Sequence, residues 1–154
     1  MPTYVINVPA TSANIGPGFD VMGLSLSLYL TVTVDVGNTP GAVTISYEDA
    51  NSAALPLDPQ SNLITSTALY VLRCNGIGEM PQCTLRVNNR IPLGRGLGSS
   101  GAAVVAGVLL ADCVGALRLT QQRMLDYCLM IEHHPDNVAA ALVGGFVASY
   151  LIDV

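Results

Sequence analysis

A glycine-rich segment carries the clearest chemical signal in the sequence. It lies between an extended stretch and an apolar stretch and reads Pro92, Leu93, Gly94, Arg95, Gly96, Leu97, Gly98, Ser99, Ser100, Gly101 and Ala102. Glycine lets the backbone approach a ligand closely, and a helix that follows directs unpaired N–H groups and a positive dipole end toward it. The two serines add hydroxyl groups that can donate to phosphate or ligate a hard cation. The segment is therefore predicted to bind phosphate.

Two familiar phosphate loops do not explain this segment. A Walker loop ends in Gly-Lys-Ser/Thr, and the chain contains no lysine. Gly96, Gly98 and Gly101 have the spacing of a dinucleotide fingerprint, but that motif needs a second strand ending in an acid about 20 residues later. The sequence instead predicts a second helix after Thr120. A glycine-rich turn that only packs tightly is the structural alternative.

Glu132 is a second candidate, because its spacing places a carboxylate on an apolar helix face. With Thr120 as the N-cap, Leu125, Cys128, Leu129 and Glu132 fall on one stripe. An unpaired carboxylate there would cost roughly several kcal/mol, so we expect a compensating partner. A hydrogen bond or an arginine is the structural interpretation, and a divalent cation is the functional one.

Two polar blocks supply further candidates. Asn14 and Asp20 bracket a turn at residues 15–18, so both side chains can face one cleft. The second block follows the Glu132 helix and consists of His134, Asp136 and Asn137. Both blocks have structural alternatives, since Asn and Asp commonly shape turns and either Asp136 or Asn137 could cap the last helix.

The elements that must position these residues follow from hydrophobic period and turn chemistry. We predict strands at residues 4–8, ending at Pro9, at 24–36, at 42–47, at 82–87 and at 146–152. The strand at 24–36 alternates apolar and polar residues throughout, and the turn at 37–41 predicts a hairpin with the strand at 42–47. Helices are expected from Asn62 to residue 75, from the glycine-rich loop to Leu117, from Thr120 to Pro135, and from there to Gly144. The order predicts an α+β domain.

Composition limits the function classes. The 154 residues are 51% hydrophobic and only 11% charged, with a net charge of −5 and six arginines as the only Lys/Arg residues. No basic patch forms, so nucleic acid and anionic membranes are not expected partners. Glycines interrupt both long apolar runs, and no secretory signal is visible. The four cysteines, without metal-type pairing, are expected to be reduced and mostly buried in a cytoplasmic protein.

Three blocks in order resemble the GHMP kinases, the family of galactokinase, homoserine kinase, mevalonate kinase and phosphomevalonate kinase. Residues 92–100 resemble the family's phosphate loop. The run Pro9-Ala10-Thr11-Ser12-Ala13-Asn14-Ile15-Gly16-Pro17-Gly18-Phe19-Asp20 and the run at 132–139 resemble blocks of its homoserine kinase branch. Gly101 stands where the family usually has alanine, and His133 stands where homoserine kinases often have glycine. The resemblance covers essentially the whole chain but only the N-terminal half of a usual member.

The resemblance implies ATP and Mg²⁺ as cofactors and transfer of a phosphoryl group from ATP to the hydroxyl of L-homoserine in threonine biosynthesis. It implies that residues 92–102 hold the phosphates, that Asn62 belongs to the adenine pocket, and that Ser100 and Glu132 hold the metal. Asn14, Asp20 and Asn137 would bind homoserine, while His134 and Asp136 would line or brace its pocket. Asp20 would pair with the ammonium group and is the fallback general base.

The implied fold is a GHMP kinase N-terminal domain over residues 1–154, with a mixed sheet, helices on one side, a left-handed βαβ crossover and no second GHMP domain. Another GHMP kinase, acting on mevalonate, shikimate or a sugar, is the alternative within the class. A nucleotide-binding chain without catalysis and a remnant that binds nothing are the alternatives outside it. The high apolar content also predicts an exposed apolar sheet surface and self-association through it, for example as a homodimer.

Overall fold

A mixed sheet packed against helices forms the domain in the computed structural model, which describes residues 1–152. In chain order the elements are β1 (Thr3–Ala13), β2 (Met22–Pro40), β3 (Val43–Tyr47), α1 (Leu63–Cys74), β4 (Pro81–Asn89), α2 (Ser99–Gly115), α3 (Gln121–Glu132), α4 (Pro135–Val143) and β5 (Phe146–Ala148). A 3₁₀ turn at Ala50–Ser52 follows β3. The predicted α+β class is confirmed. None of the helices within residues 1–152 is both long and apolar enough to cross a membrane.

The strands run in the order β1-β2-β4-β3, and the short β5 pairs with the start of β2. The predicted hairpin between β2 and β3 is wrong, because β4 pairs antiparallel with β2 and separates it from β3. β3 instead pairs parallel to β4. Parallel neighbours need a crossover, and α1 lies in the connection between them. The handedness of this crossover stays a prediction.

β1, β2 and β4 extend beyond their predicted ends, while β3 is one residue shorter than predicted and β5 is much shorter. The alternation in β2 is confirmed, with Leu30, Val32, Val34 and Val36 buried. β1 does not stop at Pro9, because a register shift between residues 9 and 10 lets the strand continue to Ala13. β5 covers only residues 146–148 of the predicted strand at 146–152.

The helices cover one face of the sheet. α2 packs against α1, α3, α4 and β1, and nine of its residues are buried, as expected for a helix that is apolar on most sides.

Asn62 and Thr120 cap α1 and α3 as predicted. The predicted cap of α4 at Asp136 or Asn137 is wrong. His134 is the N-cap, and Pro135 is the first residue of the helix. The missing N–H of proline is not a loss there, because the first N–H groups of a helix have no partner within it.

The opposite face of the sheet is polar. It carries Asn7, Thr31, Thr33, Arg86 and Asn88, which line an open depression on this face. The expected apolar sheet surface is therefore wrong for this face. A group of exposed apolar side chains lies near β5 and the turn after β1: Phe19, Phe146, Tyr150, Leu151 and Ile152.

The four cysteines are free thiols. Cys83 and Cys128 are buried, Cys113 is half-buried, and Cys74 is exposed. The expectation of reduced thiols agrees with this arrangement. The expected burial is seen in full only for Cys83 and Cys128 among the four cysteines.

Candidate functional site

The glycine-rich loop connects β4 to α2. Gly94, Gly96 and Gly98 have φ angles of +66°, +70° and +68°, a conformation that L side chains rarely adopt. Gly98 is the N-cap of α2, so no N-cap side chain occupies the N–H groups of the first turn. A pocket of about 220 Å³ opens here, lined by Pro92, residues 94–101, Glu132 and Asn137. We call this pocket the cradle.

The loop is fixed to β1 at the cradle. The Thr11 backbone N–H donates to the carbonyl of Leu97 at 3.0 Å. A Cβ placed on Gly98 would lie 2.1 Å from Oγ1 of Thr11 and 3.2 Å from Oδ1 of Asn137. Gly98 is therefore required for space as well as for its backbone conformation.

Glu132, the last residue of α3, meets the first turn of α2. The Ser100 hydroxyl donates to Oε1 of Glu132 at 2.5 Å. The expected burial of Glu132 is not seen, because the end of α3 opens onto the cradle and leaves this side chain half-exposed. No arginine within residues 1–152 pairs with it. Of the predicted compensating partners, the structure shows the hydrogen bond.

The chemistry of this donor set fits Mg²⁺ when a phosphate is present. Mg²⁺ is usually held by one or two carboxylates together with substrate phosphates and water, and Ser100 and Glu132 offer one hydroxyl and one carboxylate beside the cradle. No group of three or more His, Cys, Asp or Glu side chains in the described part of the chain could hold a metal by itself. The pair therefore fits a metal that arrives with phosphate.

A second cavity, of about 280 Å³, adjoins the cradle. Its apolar walls include Leu30, Leu55, Pro56, Leu63 and Leu93. Gly94, Ser99 and Ser100 line both spaces, so an apolar slot continues directly into the phosphate loop. Such a slot suits a flat heteroaromatic group attached to a chain of phosphates.

Asn62 lines this cavity, but its amide is engaged in the protein. Its Nδ2 donates to the Tyr47 hydroxyl and to the carbonyl of Pro56, each at 2.8 Å, and its Oδ1 accepts from the backbone N–H of Ile64 at 3.1 Å. Tyr47 also lines the cavity, and burial raises the pKa of its hydroxyl, which therefore stays protonated. The geometry gives Asn62 a bracing role and makes the Tyr47 hydroxyl one of several polar groups that line the slot.

The turn after β1 lies beside the turn between α3 and α4. Oδ1 of Asn14 accepts from the backbone N–H of Asp20 at 2.9 Å, and both residues have positive φ angles, of 58° and 57°. Nδ1 of His134 lies 3.9 Å from Oδ1 of Asp20. Asn14 thus shapes its own turn, while the Asp20 carboxylate faces the second polar block.

In the second polar block, Asp136 is buried, and its Oδ1 accepts from the backbone N–H of Asn137 at 3.0 Å in the first turn of α4. A carboxylate is favourable there because the N-terminus of a helix carries partial positive charge. His133 ends α3 with a φ of 62°, the conformation in which helices commonly end in glycine. Asp136 therefore braces this turn, and Asn137 is the member of the block that reaches the cradle.

The structure thus brings together Ser100, Glu132, Asn137 and the loop, and sets Asn14, Asp20 and His134 at a neighbouring turn. Two residues that shape these spaces were not predicted: Tyr47, which lines the slot, and Thr11, which is buried against Asn137 and the loop. Thr11 lies within the run that carried the resemblance, but its type gave no chemical signal. Tyr47 is the last residue of a strand, and its sequence position gave no sign of a binding role. Its hydrogen bond with Asn62 is what links it to the slot.

The chain is similar to known proteins over nearly its whole length. The model of the GHMP kinases N terminal domain matches residues 62–145. Homoserine kinase of Candida albicans is 56% identical over 156 residues, covering 97% of this chain and 43% of that protein. Homoserine kinase of Saccharomyces cerevisiae is 54% identical over 162 residues, covering 98% of this chain and 45% of that protein. The chain spans less than half the length of these curated relatives.

Solved structures give the same result. The crystal structure of homoserine kinase from Cytophaga hutchinsonii superposes with a TM-score of 0.81 at 31% identity, covering 96% of this chain and 48% of that one. Mevalonate kinase from Methanococcus jannaschii superposes with a TM-score of 0.76 at 12% identity, covering 96% and 53%, and shares the fold alone.

Proposed function

Because this chain belongs to the GHMP kinase family, we propose that it binds Mg-ATP and takes part in phosphorylating the hydroxyl of L-homoserine to give O-phospho-L-homoserine. The observation that carries the proposal is the continuity of the apolar slot with the cradle and with the Ser100–Glu132 pair. The similarity to homoserine kinases over nearly all of this chain supports the choice of acceptor.

The nucleotide phosphates would lie on the backbone N–H groups of the loop and on the start of α2. The positive end of the helix dipole favours the phosphate charge there. The base would occupy the slot beside Tyr47 and Asn62. When bound, Mg²⁺ would neutralise phosphate charge, with Ser100 and Glu132 as its protein ligands.

Homoserine would bind on the side of Asn14 and Asp20, with Asn137 between the acceptor hydroxyl and the phosphates in the cradle. The Asp20 carboxylate would pair with the ammonium group, and His134 would brace Asp20 from the neighbouring turn. Asp136 would hold the first turn of α4 in place. In this arrangement the protein mainly positions the reactants and stabilises charge, which is the largest demand that phosphoryl transfer makes on a protein. No side chain is assigned as an obligatory base, and Asp20 is the fallback candidate.

Calorimetric titration and product analysis test the proposal in two steps. Titration of the chain with Mg-ATP separates a nucleotide-binding protein from one that binds nothing. Incubation with ATP and homoserine, mevalonate, shikimate or galactose, followed by ³¹P NMR, then identifies the acceptor. A new phosphate ester with homoserine alone is expected, and ester formation only with another acceptor would reject it. Nucleotide binding without any ester would favour a non-catalytic role.

A further inference from the structure

Thr11 joins the three blocks that form the cradle. Its side chain is fully buried, its Oγ1 donates to Oδ1 of Asn137 at 2.7 Å, and its backbone N–H donates to the carbonyl of Leu97. Gly98 leaves room for this hydroxyl, since a Cβ there would collide with it. The end of β1, the glycine-rich loop and the start of α4 therefore meet at one threonine.

In the structure, the contact with Thr11 occupies the oxygen end of the Asn137 amide. A carboxamide has one oxygen that accepts and one NH₂ group that donates. Since Oδ1 accepts from Thr11, Nδ2 is the end that remains, and it makes no hydrogen bond within residues 1–152. Asn137 also lines the cradle. An NH₂ group facing phosphate is attractive, whereas an amide oxygen in that place would be repulsive.

We propose that Thr11 is a positioning residue, whose hydroxyl holds the Asn137 amide so that Nδ2 donates to a phosphoryl oxygen of the nucleotide. The inference rests on the proposed function to the extent that the cradle receives nucleotide phosphates. It assigns no contact between Thr11 and the nucleotide. Thr11 acts through Asn137, so removing its hydroxyl should matter only while that amide is present.

A double-mutant cycle measured by titration with Mg-ATP tests this dependence. Thr11→Val keeps the shape of the side chain and removes the hydroxyl, and we expect an affinity about tenfold lower, as for one lost hydrogen bond to a charged acceptor. Thr11→Ser restores the hydroxyl and should bind like the parent chain. In an Asn137→Ala background, Thr11→Val should cause no further loss. Full additivity of the two losses would show a merely structural role and overturn the proposal.

Asn137→Asp gives a second test that does not depend on the folding of Thr11→Val. The aspartate can still accept from Thr11, but it turns a carboxylate oxygen toward the cradle in place of the NH₂ group. We expect it to weaken Mg-ATP binding more than Asn137→Ala does. Binding as tight as that of the parent would contradict the donor role of Nδ2.

NMR of the chain without nucleotide separates failure of this inference from failure of the proposed function. The side-chain NH₂ signals of Asn137 are identified by their loss in Asn137→Ala. We expect them to be unchanged in Thr11→Ser and shifted in Thr11→Val, and unchanged signals in Thr11→Val would overturn the positioning role. Absence of Mg-ATP binding by the parent chain would reject the proposed function and the donor role together, while the signals still report whether Thr11 holds the amide.

Discussion

The Ser100 hydroxyl donates to Oε1 of Glu132 at 2.5 Å and so joins the first turn of α2 to the last residue of α3. The two residues are 32 positions apart in the chain and belong to different sequence blocks. Because Glu132 is half-exposed and has no arginine partner within residues 1–152, a purely structural ion pair does not explain it. The contact holds a hydroxyl oxygen and a carboxylate oxygen side by side at the cradle, where we propose that they bind Mg²⁺.

Glu132→Gln should abolish the effect of Mg²⁺ on nucleotide binding while changing stability little. The amide oxygen of glutamine can still accept from Ser100, so we expect a loss of about 1 kcal/mol or less. Breaking a buried ion pair would instead cost about 3–5 kcal/mol. Thermal melts with ATP, with and without Mg²⁺, measure both effects. A large loss of stability with the Mg²⁺ effect intact would contradict the metal role.

Gly98→Ala should be more damaging than Gly96→Ala, although both glycines have nearly the same φ. The left-handed conformation costs an L residue roughly 1–2 kcal/mol at either position. At Gly96 nothing lies within 4 Å of an added Cβ, whereas at Gly98 the Cβ meets Oγ1 of Thr11. Overpacking adds a further cost of about 1–3 kcal/mol.

Urea unfolding of the two glycine variants measures this difference, and titration with Mg-ATP shows whether the cradle survives. We expect Gly98→Ala to lose both stability and binding. Equal stability of the two variants would show that Thr11 moves aside freely, and undiminished binding by Gly98→Ala would argue against the cradle.

Much of the fold could be predicted because its signals are local. The alternation in β2 and the caps Asn62 and Thr120 are contained in short runs of sequence. The failures depend on distant partners. The turn at residues 37–41 predicts a hairpin by its chemistry, yet β4, which lies some 40 residues further along, takes the place beside β2. A local turn signal cannot reveal such a competitor.

The candidate site divides in the same way. The glycine-rich loop and Glu132 could be identified as candidates because clustered glycines, and an acid at the spacing of an apolar helix face, are unusual in themselves, although Glu132 is half-exposed. Thr11 and Tyr47 could not, because a threonine or tyrosine in a strand is ordinary, and their significance comes from Asn137 and Asn62 opposite them. Residue type identifies a group that can do chemistry, while the fold identifies the group that orients it.

Tyr47→Phe should weaken ATP binding through the base and leave phosphate binding unchanged. The hydroxyl is one of the polar groups of the slot, and the loss of one neutral hydrogen bond of about 0.5–1.5 kcal/mol predicts an affinity roughly twofold to thirteenfold lower. Titration with ATP and with Mg-tripolyphosphate, which has no base, separates the two parts. Tyr29→Phe, on the polar face of the sheet, is the control. Equal weakening with both ligands would place Tyr47 outside the base-binding slot.

Stability should fall at alkaline pH through Cys128. Burial, together with the nearby charge of Glu132, raises the pKa of the Cys128 thiol to about 12. In the unfolded chain a cysteine thiol has a pKa of about 8.5. The contribution is fully present below the unfolded pKa and is lost as pH rises toward the folded pKa, because only the unfolded chain can ionise in that window.

Urea unfolding between about pH 7.5 and 10.5 measures the alkaline slope. We expect Cys128→Ala to have a shallower slope than the parent, although its overall stability is lower because it leaves a cavity. Cys74→Ala removes an exposed thiol and should keep the parent slope. Identical slopes in all three chains would show that Cys128 ionises as readily in the folded state as in the unfolded one.

The 154-residue chain by itself should transfer phosphate to homoserine slowly and should self-associate. Within residues 1–152 no arginine forms an ion pair at the turn of Asn14 and Asp20, so the carboxylate of homoserine lacks an evident cationic partner there. Tyr150, Leu151 and Ile152 are 76%, 60% and 69% exposed, an apolar surface that another protein segment or a second copy can cover. We expect apparent mass to rise with concentration in sedimentation, and to rise less in a Tyr150→Ser, Leu151→Ser variant.

Adding the remaining part of a homoserine kinase such as that of Candida albicans, which is more than twice as long as the matched region, should raise turnover. Full turnover by the unsupplemented chain would contradict this prediction and would require one of its six arginines to bind the carboxylate.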